Sequence, residues 1–210
     1  MAKSKATTSG TSELIHFVVK LTSRSGLLQH NPQLADPECD VTKQIKIITD
    51  KGKLQTDDDR HQVARLEWYG GIYLSNGGAP PTIVEPTANI RKCFVDMAKI
   101  EKKGRGIERA VSFATYDVPL VYDGPKEIDA LFADERFRDR RSVGIGRHRV
   151  MRTRPKFYPW ALEAEGFFVP DIGLNFSDFV RLVALAGVAE GLGDGRRIGF
   201  GRFSAQVETL

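Results

Sequence analysis

No apolar run in this sequence approaches the ~20 residues that a membrane-crossing helix needs, so neither a membrane span nor a membrane partner is expected. Cysteine is also scarce. Cys39 and Cys93 are too few for a disulfide framework or a zinc site, and they read as free thiols of a reducing compartment. The four histidines, His16, His30, His61 and His148, share no metal-ligand spacing, and no metal or other cofactor is expected. There is no Walker sequence, and no glycine-rich turn that follows a strand and opens a helix, which disfavours phosphate-loop and dinucleotide sites. Internal repeats are missing. The only biased segment is Met1–Ser12, rich in Lys, Ser, Thr and Gly, which lacks the apolar stretch of a signal peptide and reads as a disordered tail of a cytoplasmic protein.

What is present suits one globular domain over residues 13–210. The chain of 210 residues is 41% apolar and 28% charged, long enough to bury a core without disulfides or metals. The net charge of +4 is modest, but its distribution is uneven. Between Arg136 and Lys156 lie nine basic side chains and the single acid Asp139, whereas the remaining 22 basic residues face 26 acidic ones. A slightly acidic body with one strongly cationic strip is a directional footprint for a polyanion. Roughly six to nine phosphate contacts from such a strip would make binding fall steeply with salt.

Alternation and β-branched residues predict a first strand over Glu13–Leu21, followed by a long polar loop, Thr22–Asp40, broken by Pro32 and Pro37. Val41–Tyr69 reads as an insertion, with a short strand at Lys43–Thr49. A helix then starts at Thr56, where Asp57–Asp59 suit the positive end of the helix dipole, and stops at Gly70-Gly71. After a turn-rich loop, Ser75–Pro81, a second helix is expected from a Thr87 cap to Lys102, stopped by Gly104. Strands follow at Glu108–Tyr116 and Val118–Tyr122. Ile128–Phe132 has no clear type. Further strands are read at Ser142–Arg154 and Trp160–Val169, then a helix from Asn175 to Glu190 and a last strand, Phe203–Val207. Without the insertion this is strand, helix, strand, strand, helix, strand: an α+β, ferredoxin-like βαββαβ core whose antiparallel sheet carries both helices on one face. The other face is the one on which RRM-like domains receive single strands.

Two segments carry the chemistry. In the first, Gly191–Phe203, five glycines fall within eleven residues between a helix and a strand. Gly193, Gly195, Gly199 and Gly201 would let backbone amides approach a phosphate, with Arg196, Arg197 and Arg202 supplying charge. The second is the cationic strip, in which Arg138, Arg140, Arg141, Arg147, Arg149, Arg152, Arg154 and Lys156 form the expected phosphate-contacting set. Alternation puts arginine on both faces of Ser142–Arg154, as in a projecting hairpin. Phe157, Tyr158 and Trp160 either stack on bases or belong to the core, and the core reading is preferred.

These residues resemble the RAMP superfamily, the repeat-associated proteins that build CRISPR effector complexes and process their RNA. The likeness rests on the glycine-rich Gly191–Phe203 between last helix and last strand, and on the long polar loop after the first strand. Ile83–Arg91 is similar to the proline-containing lead into the family's first helix, with Pro86-Thr87 where glycine-serine is usual. Arg152–Phe157 resembles the central hairpin of backbone subunits. The pattern runs from Glu13 to Val207 and is also similar to RAMP-like proteins of phage genomes. The resemblance implies an RNA-binding core that oligomerises along a strand or joins a multi-subunit complex, with residues 41–69 as a thumb.

The expected function is therefore sequence-tolerant binding of single-stranded nucleic acid, RNA or DNA, with RNA preferred. A non-enzymatic role is preferred to catalysis. One alternative is a metal-independent endoribonuclease, for which the resemblance implies His30 as general base. In target-cleaving backbone subunits the loop supplies an acid instead, here Asp36 or Asp40. The other is an assembly protein whose basic strip meets an acidic partner.

Overall fold

The computed structural model describes residues 13–75, 81–146 and 148–210. The expected tail over residues 1–12, most of the loop over Ser75–Pro81, and Arg147 lie outside the described residues. The first strand, β1 (Ile15–Ser23), is followed by a two-residue strand, β2 (Leu27–Leu28), and by helices α1 (Asp40–Thr49) and α2 (Asp57–Gly71). Next come β3 (Val84–Pro86), α3 (Thr87–Ile100), α4 (Gly104–Ala110) and β4 (Val111–Phe113). Short elements β5 (Asp117–Pro119), β6 (Val121–Tyr122) and α5 (Ile128–Ala133) lead to a hairpin, β7 (Arg138–Ile145) and β8 (His148–Phe157). The chain closes with β9 (Trp160–Phe168), α6 (Phe176–Ala189) and β10 (Phe203–Thr209).

The main sheet runs β10-β1-β9-β4, with β6 also pairing β9. Each pairing is antiparallel: Val19 lies opposite Val207 on one side and Ala164 on the other, and Val111 lies opposite Phe168. With α3 between β1 and β4 and α6 between β9 and β10, this is the ferredoxin-like strand order. Period-two alternation turns Phe17, Val19, Leu21, Leu162, Ala164 and Phe168 towards the helices, where all are buried with Ile90, Phe94, Phe179 and Val183. Phe17 and Phe179 meet with ring centroids 5.1 Å apart. Each such Val, Leu, Ile or Phe side chain contributes about 1.5–3 kcal/mol by leaving water. Gly187 sets the closeness of α6 to the sheet, since a Cβ there would run into Phe203.

The cap residues act as the sequence predicts at two helices. Thr56 and Asp59 form a reciprocal capping box at α2, and the Asn175 side chain accepts from the Asp178 N–H at α6. Thr87 does not cap; it is the first residue of α3, and its hydroxyl donates to the carbonyls of Thr115 and Tyr116.

Three segments differ from the sequence reading, and a fourth, Ile128–Phe132, gains the type it lacked there. Lys43–Thr49 is helical, part of α1, because its isoleucines fit a helix that buries only Ile48 against α2. Glu108–Ala110 ends a helix, and only Val111–Phe113 is strand. Ile128–Ala133 is a short helix. Ser142–Arg154 is not one strand but the two arms of the β7–β8 hairpin, which turns at Gly146 with φ +58°.

The hairpin joins the body through β2, where Leu27 lies opposite Phe157. Helix α2 covers the rest of the β8 edge. Glu67 of α2, 4% exposed, accepts from the Thr153 N–H at 2.8 Å and pairs with Arg152 at 2.5 Å. Trp68 Nε1 donates to the Phe137 carbonyl at 2.8 Å and ties the same helix to the base of the hairpin. No described helix is long and apolar enough to cross a membrane.

Candidate nucleic-acid interface

The glycine-rich segment is a tight loop wedged against the chain that leaves β1. Gly191, Gly193, Gly195, Gly199 and Gly201 all have φ between +68° and +95°, which β-carbon-bearing residues rarely adopt. At Gly201 the demand is also steric: a Cβ would strike the Leu192 carbonyl. The number of glycines thus follows from the shape of the loop, without a phosphate to explain it. Gly199 is exposed, and a Cβ there would meet nothing within 4 Å.

Acids both near and far in the chain neutralise much of the cationic strip. Arg141 pairs with Asp139, Arg152 with Glu67, Arg154 with Asp194 at 2.8 Å, and Arg138 approaches Glu135 at 3.5 Å. Among the described residues no acidic side chain lies within ion-pair range of Arg140, Arg149 or Lys156.

The pairing register divides the hairpin into two faces. Asp139, Arg141, Arg152, Arg154 and Lys156 share the face turned to the glycine-rich loop. There the Arg141 guanidinium lies 4.6 Å from the Phe200 ring centroid, and Arg154 reaches Asp194. Lys156 and Phe200 crowd the same point beside Gly26. Arg138 and Arg140 occupy the opposite face and line a groove against α2 with His61, Arg65 and Phe132. Arg149, near the hairpin turn, bonds Ser142 and is also turned away from the loop. Of the expected set, then, Arg141, Arg154 and Lys156 meet the loop through Phe200 and Asp194, while Arg152 is held by Glu67 of α2 and Arg202 donates to the Arg196 carbonyl at 3.1 Å within the loop. Arg196 points instead towards Asp96 and Glu190, at 3.6 and 3.9 Å. Arg147 is outside the described residues. Phe157 and Trp160 are core, with Tyr158 exposed.

Beneath the loop lies a recess of about 220 Å³, lined among others by His30, Tyr73, Asn89 and Asp194. Protein packed around the His30 ring depresses its pKa, and Arg154 and Arg152 add to the lowering while Asp194 opposes it. Cys93 also lines the recess; its thiol is pushed up to about 12 by burial and donates to the Gly191 carbonyl, which leaves it unreactive. Sequence reasoning missed Tyr73 and Asn89 as site residues; they lie 43 and 59 residues from His30, Tyr73 in no motif and Asn89 in Ile83–Arg91, where nothing marks its side chain.

The helix-free face of the main sheet is poorly suited to a polyanion. It presents Glu163, Glu165 and Glu208 with Lys20, which bonds Glu208 at 2.8 Å, and one stacked pair, His16 and Phe167. Among the described residues no group of three or more His, Cys, Asp or Glu is placed to hold a metal.

No protein-family model matches this chain, and no curated protein matches it. Solved structures do. One is a chain of a type III-B Cmr-beta complex bound to cognate target RNA, with a TM-score of 0.54 and 11% identity. The match covers 94% of the present chain but 61% of that chain, so the protein spans less than two thirds of its neighbour. At this identity the likeness is one of fold: the chain is an α+β protein with the ferredoxin-like arrangement of its neighbour.

Proposed function

We propose that this protein is a RAMP-like subunit that binds single-stranded nucleic acid, RNA before DNA, along the seam where the β7–β8 hairpin packs against the glycine-rich loop. The observation that carries this reading is a convergence. Two segments singled out separately in the sequence meet in space through Arg154–Asp194 and Arg141–Phe200. Lys156 lies beside Phe200 at this contact, and Arg197, on the same loop, is exposed. The acidic helix-free face supports the same placement, because it repels a strand from the alternative site. The fold shared with a subunit of an RNA-bound assembly agrees, and makes membership of a multi-subunit complex or a homo-oligomer the working expectation.

The double variant Lys156→Ala/Arg197→Ala tests the site. Measured by anisotropy on a 20-nucleotide strand, its affinity at 50 mM salt should fall about tenfold, and the log–log salt slope should flatten by roughly one unit per lost phosphate contact. Wild-type affinity and an unchanged slope would remove the site from this seam. Absence of any strand binding by the wild type would leave the cations as a surface for an acidic protein partner.

The recess gives an endoribonuclease reading one specific support. A lowered pKa keeps His30 neutral at pH 7, the form a general base requires. Under this second reading His30→Ala abolishes cleavage of a bound RNA, and cleavage that persists in the variant rules the residue out.

A further inference from the structure

The recess beneath the glycine-rich loop has the size and lining of a base-binding slot. Its volume of about 220 Å³ is below the ~300–1,000 Å³ of pockets that enclose drug-sized ligands, so it suits one planar group and not a length of chain. Tyr73 and His30 bring two aromatic rings to it, and Asn89 and Asp194 bring an amide and a carboxylate. Stacking rings plus edge-reading polar groups are what proteins use to hold bases splayed from a single strand. Lys92 and Arg196 also line it, both directed to Asp96, at 2.5 and 3.6 Å.

The reading groups are held from behind by a buried network. Asn89 Nδ2 donates to Glu85 Oε1 at 2.9 Å, and Gln29 Nε2 donates to Glu85 Oε2 at 3.0 Å. The Gln29 amide oxygen accepts from the Tyr73 N–H at 3.1 Å, and the Tyr73 hydroxyl donates to the His30 carbonyl at 3.1 Å. Gln29 and Glu85 are both 0% exposed. Side chains fixed in this way lose little freedom when a ligand arrives, which favours recognition over passive contact. The recess also opens next to the phosphate-facing cations, because Asp194 lines it and pairs with Arg154.

We infer that this recess receives one unstacked nucleobase from the strand lying along the hairpin–loop seam, held between Tyr73 and His30 and read at its edge by Asn89. The inference rests on the proposed nucleic-acid binding and adds that the bases, not only the phosphates, contribute to affinity.

Two 15-nucleotide probes test it: oligouridylate, and a strand of the same length built of abasic ribose phosphates. The wild type should bind oligouridylate at least fivefold more tightly than the abasic strand. Tyr73→Leu should bring this ratio to within twofold while leaving affinity for the abasic strand unchanged, which also reports an intact fold. Asn89→Ala provides the same test should the Tyr73 variant lose its abasic binding. Equal wild-type affinity for both probes, or a ratio retained in both variants, overturns the inference while leaving phosphate-directed binding in place. A wild type that binds neither probe overturns the binding proposal itself.

Discussion

Replacing Gly201 with alanine should destabilise the protein by on the order of 3 kcal/mol or more, one of the largest single-residue effects available in this fold. Gly201 is buried at φ +70°, a conformation that costs a side-chain-bearing residue about 1–3 kcal/mol by itself. The added methyl group would then point at the Leu192 backbone, which cannot swing aside as a side-chain tip can. Relief requires the loop to open. Opening sacrifices the bond from Leu192 N–H to the Gly201 carbonyl at 2.9 Å and that from Gly201 N–H to the Gly26 carbonyl at 2.7 Å. Gly199→Ala is the control: φ is +95° but the space is open, so the cost should stay near 1–2 kcal/mol. Urea midpoints of the two variants decide the matter. A Gly201→Ala protein as stable as Gly199→Ala would mean that the loop is not built as described.

The second large effect is a dependence on pH centred on Glu85. Complete burial raises this carboxyl to about 7; the Asn89 and Gln29 donors pull the other way, and Asp117 adds to the increase. A folded-state pKa above the ordinary 4.5 means that the folded state holds the proton more tightly than the unfolded chain. Its contribution is therefore fully present below about pH 4.5 and is lost as pH rises through about 7. At ~1.36 kcal/mol per pKa unit the loss approaches roughly 3 kcal/mol at pH 8.5. Glu85→Gln carries no such proton. It should be the less stable protein at pH 5.5, where the wild-type group is neutral and bonded, and the gap should close by pH 8.5. Parallel stability curves for the two proteins across that range would show that Glu85 does not titrate there.

The fold was legible because its signals are local. The alternation of Ile15–Leu21, the apolar residues Phe176, Phe179, Val180 and Val183 at helical spacing, and the caps Thr56 and Asn175 each report on a few neighbouring residues, and together they specify βαββαβ. The misread segments lack that clarity. Lys43–Thr49 holds three isoleucines that fit a strand by propensity, and only contact with α2 makes it helical. Gly144–Gly146 carries too weak a signal among arginines to announce a hairpin turn. The site was legible in outline and wrong in its electrostatics. A strip with a single internal acid reads as free charge, whereas Glu67 and Asp194 neutralise Arg152 and Arg154 from 85 and 40 residues away. The two faces of the hairpin could be assigned only once the turn was known, which is why Arg138 and Arg140 were grouped with residues they do not meet.

The seating of α2 on β8 also bears on how this chain avoids sticking to itself. A strand with a bare edge is a template onto which another molecule can add its own strand, the first step of cross-chain aggregation. In β8 the unclaimed amide at Thr153 is taken by a carboxylate, and a helix fills the space a visiting strand would need. A variant with α2 loosened, for example by Glu67→Ala, would therefore fail first as a solubility defect, precipitating while its main sheet is still folded.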